Sequence, residues 1–246
     1  MALKRCLPLV MQNQLELEIL PQPDDYSCGP TCLHSVYNYY DDHVDLNEIM
    51  EDVPSLEEGG TLAVLLANHA LKRGYSATIY TYNLMVFDPT WFNLRRKEIR
   101  KKLEAQLRAK SDEKLRFATE AYIEFLRLGG RLRMKDLTSG LIRKYLKKSI
   151  PILTGLNATY LYNCAREYGP KMDYDDIRGY PTGHFVVLSG YNQPDRTVTV
   201  ADPLQHNPAF KSQYYDVTMN RLISSILLGI ITYDANLLIL EKDSGI

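Results

Sequence analysis

The chain has 246 residues, 45% of them hydrophobic, and a formal net charge of −1. That is enough apolar chain for one enzyme-sized core, without the charge excess that draws a protein to nucleic acid or an anionic membrane. The four cysteines, Cys6, Cys28, Cys32 and Cys164, exclude a disulfide scaffold and show no metal-type pairing. Cys28-x-x-x-Cys32 is one helical turn, unlike a redox C-x-x-C, and Cys32 reads as a small core residue. No run approaches the roughly 18 apolar residues of a membrane span. Met1–Met11 is broken by Pro8 and lacks a small-residue cleavage pattern, so it does not read as a signal peptide. The expected compartment is cytoplasmic, with no nucleic-acid or membrane partner, no cofactor and no metal.

Leu15–Ile19 alternates as a strand and leads into the loop Gln22-Pro-Asp-Asp-Tyr-Ser-Cys28-Gly29-Pro30. After Cys28, Leu33, Val36, Tyr37 and Tyr40 recur at the spacing of a buried helix face, and Pro30 suits a first turn. Cys28 is thereby predicted at a helix N-terminus, where unpaired backbone N–H groups and the helix dipole favour a thiolate. A lone cysteine before Gly-Pro is ordinarily a buried turn residue, so the chemistry needs a partner.

Asp45-Leu-Asn-Glu48 has the character of a capping box opening a short helix. Thr61–Arg73 reads as a helix closed by Gly74, with Leu62, Leu65, Leu66 and Ala70 inward, and Tyr75–Tyr82 alternates as a strand. Asp88-Pro89 ends the connection that follows. Arg95–Glu104 and Ser111–Leu128 are two predicted helices with Ile99, Leu103, Leu107, Tyr122, Phe125 and Leu126 inward, stopped by Gly129-Gly130. The basic run invites an anionic-partner reading, but Glu98, Glu104, Asp112 and Glu113 are interleaved with it, as on a solvated helix face. Lys135–Lys148 is predicted as a further helix and Pro151–Leu156 as a strand. Gly155–Thr182, rich in tyrosine, asparagine, aspartate and glycine, reads as a long loop, either a substrate-binding rim or a structural excursion.

His184 opens a short apolar run bounded by glycines, a buried strand. The turn Asn192–Arg196 then leads to an alternating strand, Thr197–Ala201, ending at Asp202-Pro203. In an antiparallel hairpin the start of one strand lies beside the end of the next, so His184 and Asp202 are predicted neighbours. A carboxylate there fixes the imidazole tautomer and stabilises the imidazolium. His34, His43 and His69 lack such a hairpin, and His206, in a Pro-rich loop, is the one rival. Leu237–Leu240 completes a mostly antiparallel sheet.

The order Gln22, Cys28, His184, Asp202 in these contexts resembles the papain-like cysteine peptidases, and more narrowly the bacteriocin-processing type, family thirty-nine, with its stand-alone relatives. The resemblance covers the first forty residues and roughly residues 150 to 205. It implies that Gln22 serves the oxyanion hole, Cys28 is the nucleophile, His184 the general base and Asp202 its orienting acid. The sequence departs from the best-known members in that no transporter membrane domain follows the peptidase-like part. The expectation is an α+β papain-like fold over residues 1–246: an N-terminal helical lobe carrying the nucleophile helix, an antiparallel sheet carrying His184 and Asp202, and a helical insertion at 90–149. Hydrolysis of a peptide or amide bond is the expected reaction. Acyl transfer of the transglutaminase or phytochelatin-synthase type and a turnover-less binding module stay open as alternatives.

Overall fold

The computed structural model describes residues 12–56 and 59–242, so Cys6 and the Met1–Met11 segment lie outside the described residues. The chain runs β1 (Gln12–Gln14), α1 (Cys28–Tyr39), α2 (Leu46–Asp52), α3 (Ala63–Lys72), β2 (Tyr75–Thr81), α4 (Arg96–Ala109), α5 (Glu113–Arg127) and β3 (Arg131–Arg133). It continues with α6 (Ser139–Leu146), β4 (Ile152–Asn157), α7 (Ala158–Tyr162), β5 (Glu167–Tyr168), β6 (Asp173–Tyr174), β7 (Gly183–Asn192), β8 (Thr197–Ala201), β9 (Tyr214–Thr218), α8 (Met219–Leu228) and β10 (Asn236–Lys242).

The architecture is α+β. Among the described residues an eight-stranded sheet has the order β3-β2-β10-β4-β7-β8-β9, with β1 beside β7, and every pairing is antiparallel except β2 with β3. The middle strands read as continuous apolar runs because both their faces are covered: β4 is buried throughout, and β7 from His184 to Tyr191. β9 alternates exposed and buried, as a strand with one wet face does. A register shift between Leu188 and Gly190 marks where the edge of β7 passes from β4 to β1.

Several expectations hold closely. α1 begins at Cys28, and Leu33, Val36 and Tyr37 are at most 1% exposed. Asp45 caps α2 by accepting from Asn47 N at 2.8 Å. Gly74 and Gly129 take positive φ of 87° and 101° just beyond α3 and α5, where a helix end favours glycine. The charges of the basic run pair along its own helices, Arg100 with Glu104 and Arg116 with Glu120, and Asp112 caps α5.

Three expectations need correction. Leu15–Ile19 is not a strand: Leu15, Leu17 and Ile19 are buried in alternation, but the backbone bonds Ser189 O and the Tyr214 hydroxyl rather than a ladder. The predicted helix Lys135–Lys148 starts only at Ser139, because the Thr138 side chain caps Leu141 N. Gly155–Thr182 is not a plain loop, since it holds the end of β4, α7 and the β5-β6 hairpin. β1, β3, β9 and α8 have no counterpart among the elements expected from the sequence.

Gly29 explains how α1 comes to lie against Thr61 and the start of α3. A Cβ there would overlap Thr61 Cγ2 and approach Leu66 Cδ1 to 3.3 Å and Phe185 Cδ2 to 3.4 Å. Thr61 cannot turn away freely, because it is buried and its hydroxyl donates to Pro54 O at 3.1 Å. Gly29→Ala is therefore expected to cost about 1–3 kcal/mol by overpacking, read as a lowered denaturant midpoint with unchanged m-value. An unchanged midpoint would mean that α1 and Thr61 separate easily.

Candidate active site

The loop before α1 is folded on itself. Asp24 Oδ1 accepts from Tyr26 N at 2.9 Å, and Gln22 Nε2 donates to Asp24 O at 2.8 Å. Ser27 O receives both the backbone N–H and the hydroxyl of Thr31, which anchors the first turn. Cys28 is the first helical residue and only 8% exposed, so its own N–H has no carbonyl within the helix to bond.

The second half of the site comes from β7 and the turn after β8. His184 Nε2 and Asp202 Oδ1 are 2.8 Å apart, with His184 6% exposed and Asp202 fully buried. The hairpin register, Val187 opposite Ala201, carries the histidine and the aspartate to the same end of the sheet. Asp202 Oδ1 also accepts from Leu204 N at 2.8 Å, and Oδ2 accepts from the Tyr162 hydroxyl at 2.7 Å and the Tyr215 hydroxyl at 2.6 Å. Gln22 N donates to Pro203 O at 2.9 Å, tying the loop before Cys28 to the residue after Asp202.

Burial works against both charges of this pair and is overcome. Desolvation alone would lower the His184 pKa, but the Asp202 carboxylate, together with a hydrogen bond and charge attraction from Cys28, lifts it to about 10. Burial would likewise raise Asp202, yet the imidazolium and the two tyrosine hydroxyls hold it below the usual carboxylate range. Cys28, His184 and Asp202 thus form one connected line, with the imidazole between thiol and carboxylate and charged at neutral pH. Cys32, one turn on, is unlike Cys28: its Sγ sits 3.3 Å from Phe185 O, and burial pushes its thiol well up.

The other histidines are placed elsewhere. His34 and His43 both meet Asn38, His69 bonds the Tyr37 hydroxyl, and His206 is exposed. Among the described residues no group of three or more His, Cys, Asp or Glu side chains is arranged to hold a metal ion. No helix of the described residues is long and apolar enough to cross a membrane.

Cys28 and His184 open onto a cleft of about 750 Å³. One wall is the tyrosine-rich segment, through Glu167, Met172 and Tyr180, and the other includes Tyr26 and Ile231. Gln22 Oε1 is buried without a hydrogen-bond partner beside this loop system.

Two family models match the chain: the Peptidase C39 family over residues 16–105, which include Cys28, and the Peptidase_C39 like family over residues 135–224, which include His184 and Asp202. The two matches mark the chain as a C39-like cysteine peptidase. A search of curated proteins finds no match. Among solved structures, a double glycine motif protease from an AMS/PCAT transporter in complex with the leader peptide is 14% identical, with a TM-score of 0.43, over 95% of this chain and 96% of that one. The peptidase domain of Streptococcus ComA, a bi-functional ABC transporter involved in a quorum sensing pathway, is 15% identical at 0.43, over 92% and 99%. Xylellain, a cysteine protease from Xylella fastidiosa, is 12% identical at 0.43, over 94% and 85%.

Sequence reasoning missed Tyr162 and Tyr215. Nothing local marks either as a partner of Asp202, although the alternation of β9, with Tyr215 and Val217 inward, could have placed Tyr215 in the core.

Two measurements test this electrostatic account of the C39-like peptidase site. In Cys28→Ala, loss of the hydrogen bond and electrostatic interaction from residue 28 should lower the His184 pKa from its raised value of about 10, followed by NMR of the labelled imidazole. An unchanged titration would disconnect the two residues. Tyr215→Phe should leave Asp202 Oδ2 with Tyr162 alone and cost about 1–3 kcal/mol, typical of a hydrogen bond to a charged group, read from denaturant unfolding.

Proposed function

We propose that this peptidase hydrolyses a peptide bond with Cys28 as nucleophile, His184 as proton carrier and Asp202 as the group that orients it. The observation that carries the reading is the Cys28, His184, Asp202 line itself. The imidazole's Nε2 is committed to Asp202, which leaves Nδ1 to serve the thiol.

Cys28 Sγ bonds to the scissile carbonyl carbon and the carbonyl oxygen takes up negative charge. The Cys28 backbone N–H and the Gln22 side chain stabilise that oxyanion. Gln22 supports its part in two ways: its loop is tied to Pro203, and its amide keeps a second N–H after donating to Asp24. The C–N bond then breaks as His184 gives its proton to the leaving amine. Water attacks the thioester, His184 takes a proton from it, and the C–S bond breaks to release the acid and restore Cys28. We also read residues 1–246 as one catalytic unit, with 90–149 as a helical insertion. In support, α4 packs on α5, α5 on α3, and α3 on the nucleophile helix α1, while β3 within that range joins β2 and ties it to the main sheet.

Gln22→Ala should lower kcat by roughly 10²–10³, as for loss of one oxyanion donor, while Cys28 still reacts with a small alkylating agent at its normal rate. The check is steady-state hydrolysis of a peptide pool beside Cys28→Ala, which should be inactive. Unchanged turnover in Gln22→Ala would remove that residue from the mechanism, and activity in Cys28→Ala would remove the mechanism.

A further inference from the structure

Asp234 lies in the same cleft and has no part in the chemistry above. It follows the 3-10 turn Gly229–Thr232 and is only 6% exposed, yet it lines the cavity beside Cys28 and His184. Two glycines make room for it. A Cβ on Gly183 would overlap Asp234 Oδ2, and one on Gly155 would stand 2.9 Å from Oδ1. Thr232 Oγ1 donates to Oδ2 at 2.6 Å and fixes the side chain. Among the described residues the carboxylate is bonded only through Oδ2, so Oδ1 is an acceptor of a mostly buried side chain that stays open to the cavity.

The charge around it is unbalanced. Asp25, Glu167 and Asp234 line the cleft, against Lys114 and the imidazolium of His184. Lys114 does not close on the carboxylate, since its Nζ sits over the Tyr233 ring, 5.2 Å from the centroid. Above this floor the rim is apolar and open: Tyr26 is 50%, Ile231 59% and Tyr180 75% exposed. An exposed apolar rim over a mostly buried carboxylate with one oxygen free suits a long side chain with an apolar stem and a cationic head.

We propose that Asp234 is the floor of a subsite that accepts a lysine or arginine side chain of the peptide substrate, its Oδ1 taking the hydrogen bond of the cationic head. The inference deepens the peptidase reading and rests on it. The carboxyl is already desolvated by the fold, so a cation supplies the partner it lacks, whereas a neutral side chain of the same shape leaves it unpaired.

The subsite should also depend on pH. Burial raises the Asp234 pKa to about 7, only partly offset by Thr232, Lys114 and His184. The titratable groups acting on it are Lys114 and Tyr122 from α5 and His184 from β7, while Gly155 of β4 and Gly183 of β7 approach it without a side chain. An acid with a raised pKa is charged above that value and neutral below it, so preference for a cation is lost as pH falls through about 7.

The test uses tripeptidyl chloromethyl ketones with lysine or norleucine at each of the three positions, and reads the rate of Cys28 alkylation by mass spectrometry. In the wild type, lysine at one position should react about tenfold or more faster than norleucine. In Asp234→Asn the ratio should fall to near unity, while iodoacetamide alkylates Cys28 at the wild-type rate. In the wild type alone, the ratio should drop as pH is lowered from about 8 to about 6, an arm that needs no variant. No lysine preference at any position, a preference that survives in Asp234→Asn, or a ratio flat with pH overturns the proposal. If iodoacetamide does not select Cys28 over Cys32 and Cys164 in the wild type, the peptidase reading itself has failed, and the subsite falls with it.

Discussion

A carboxylate with no exposed surface is the constraint on which the site depends. Asp202 is 0% exposed, and a lone buried carboxylate would cost several kcal/mol. Its two oxygens accept from four donors: His184, the Leu204 backbone, Tyr162 and Tyr215. Those donors come from β7, the turn after β8, α7 and β9, so satisfying one charge fixes how four parts of the chain meet. The same bonds keep Asp202 ionised, and that charge is what holds an otherwise disfavoured imidazolium at His184.

Rigid elements carry Cys28 and His184, the groups proposed to react, and the proposed substrate side is left to loops. Cys28 is held by a helix buried from its first residue to Tyr37, and His184 by a strand with neighbours on both edges. The cleft walls, by contrast, are the segments around Tyr26, Glu167–Tyr180 and Ile231, with large exposed side chains. That division suits a peptidase, which needs a preorganised nucleophile and oxyanion site but a surface able to receive an extended chain. Asp234 crosses the division as a buried group that faces the cleft.

Local pattern made much of this legible in the sequence. The 3.6-residue spacing after Cys28 located α1, and the turn at Asn192–Arg196 sufficed to set His184 beside Asp202, because hairpin geometry needs no long-range information. Where the decisive contact was distant, the sequence was silent. Leu15–Ile19 alternates like a strand, but its polar backbone is met by Ser189 and Tyr214, some 175 to 195 residues away, so alternation recorded burial rather than pairing. Tyr162, Tyr215 and Asp234 matter through tertiary proximity alone. Gly183 reads only as the boundary of an apolar strand and Gly155 only as the point where a strand gives way to a loop, when both leave space for the Asp234 carboxyl.

The most direct test of the central claim, that His184 held by Asp202 activates Cys28, is the site-resolved rate of iodoacetamide alkylation at neutral pH in the wild type and in His184→Ala. The account requires Cys28 to react fastest of Cys28, Cys32 and Cys164 in the wild type, and to lose at least about tenfold of that rate without the imidazole. Equal rates at Cys28 in the two proteins would contradict it, because the thiol would then owe nothing to its neighbour.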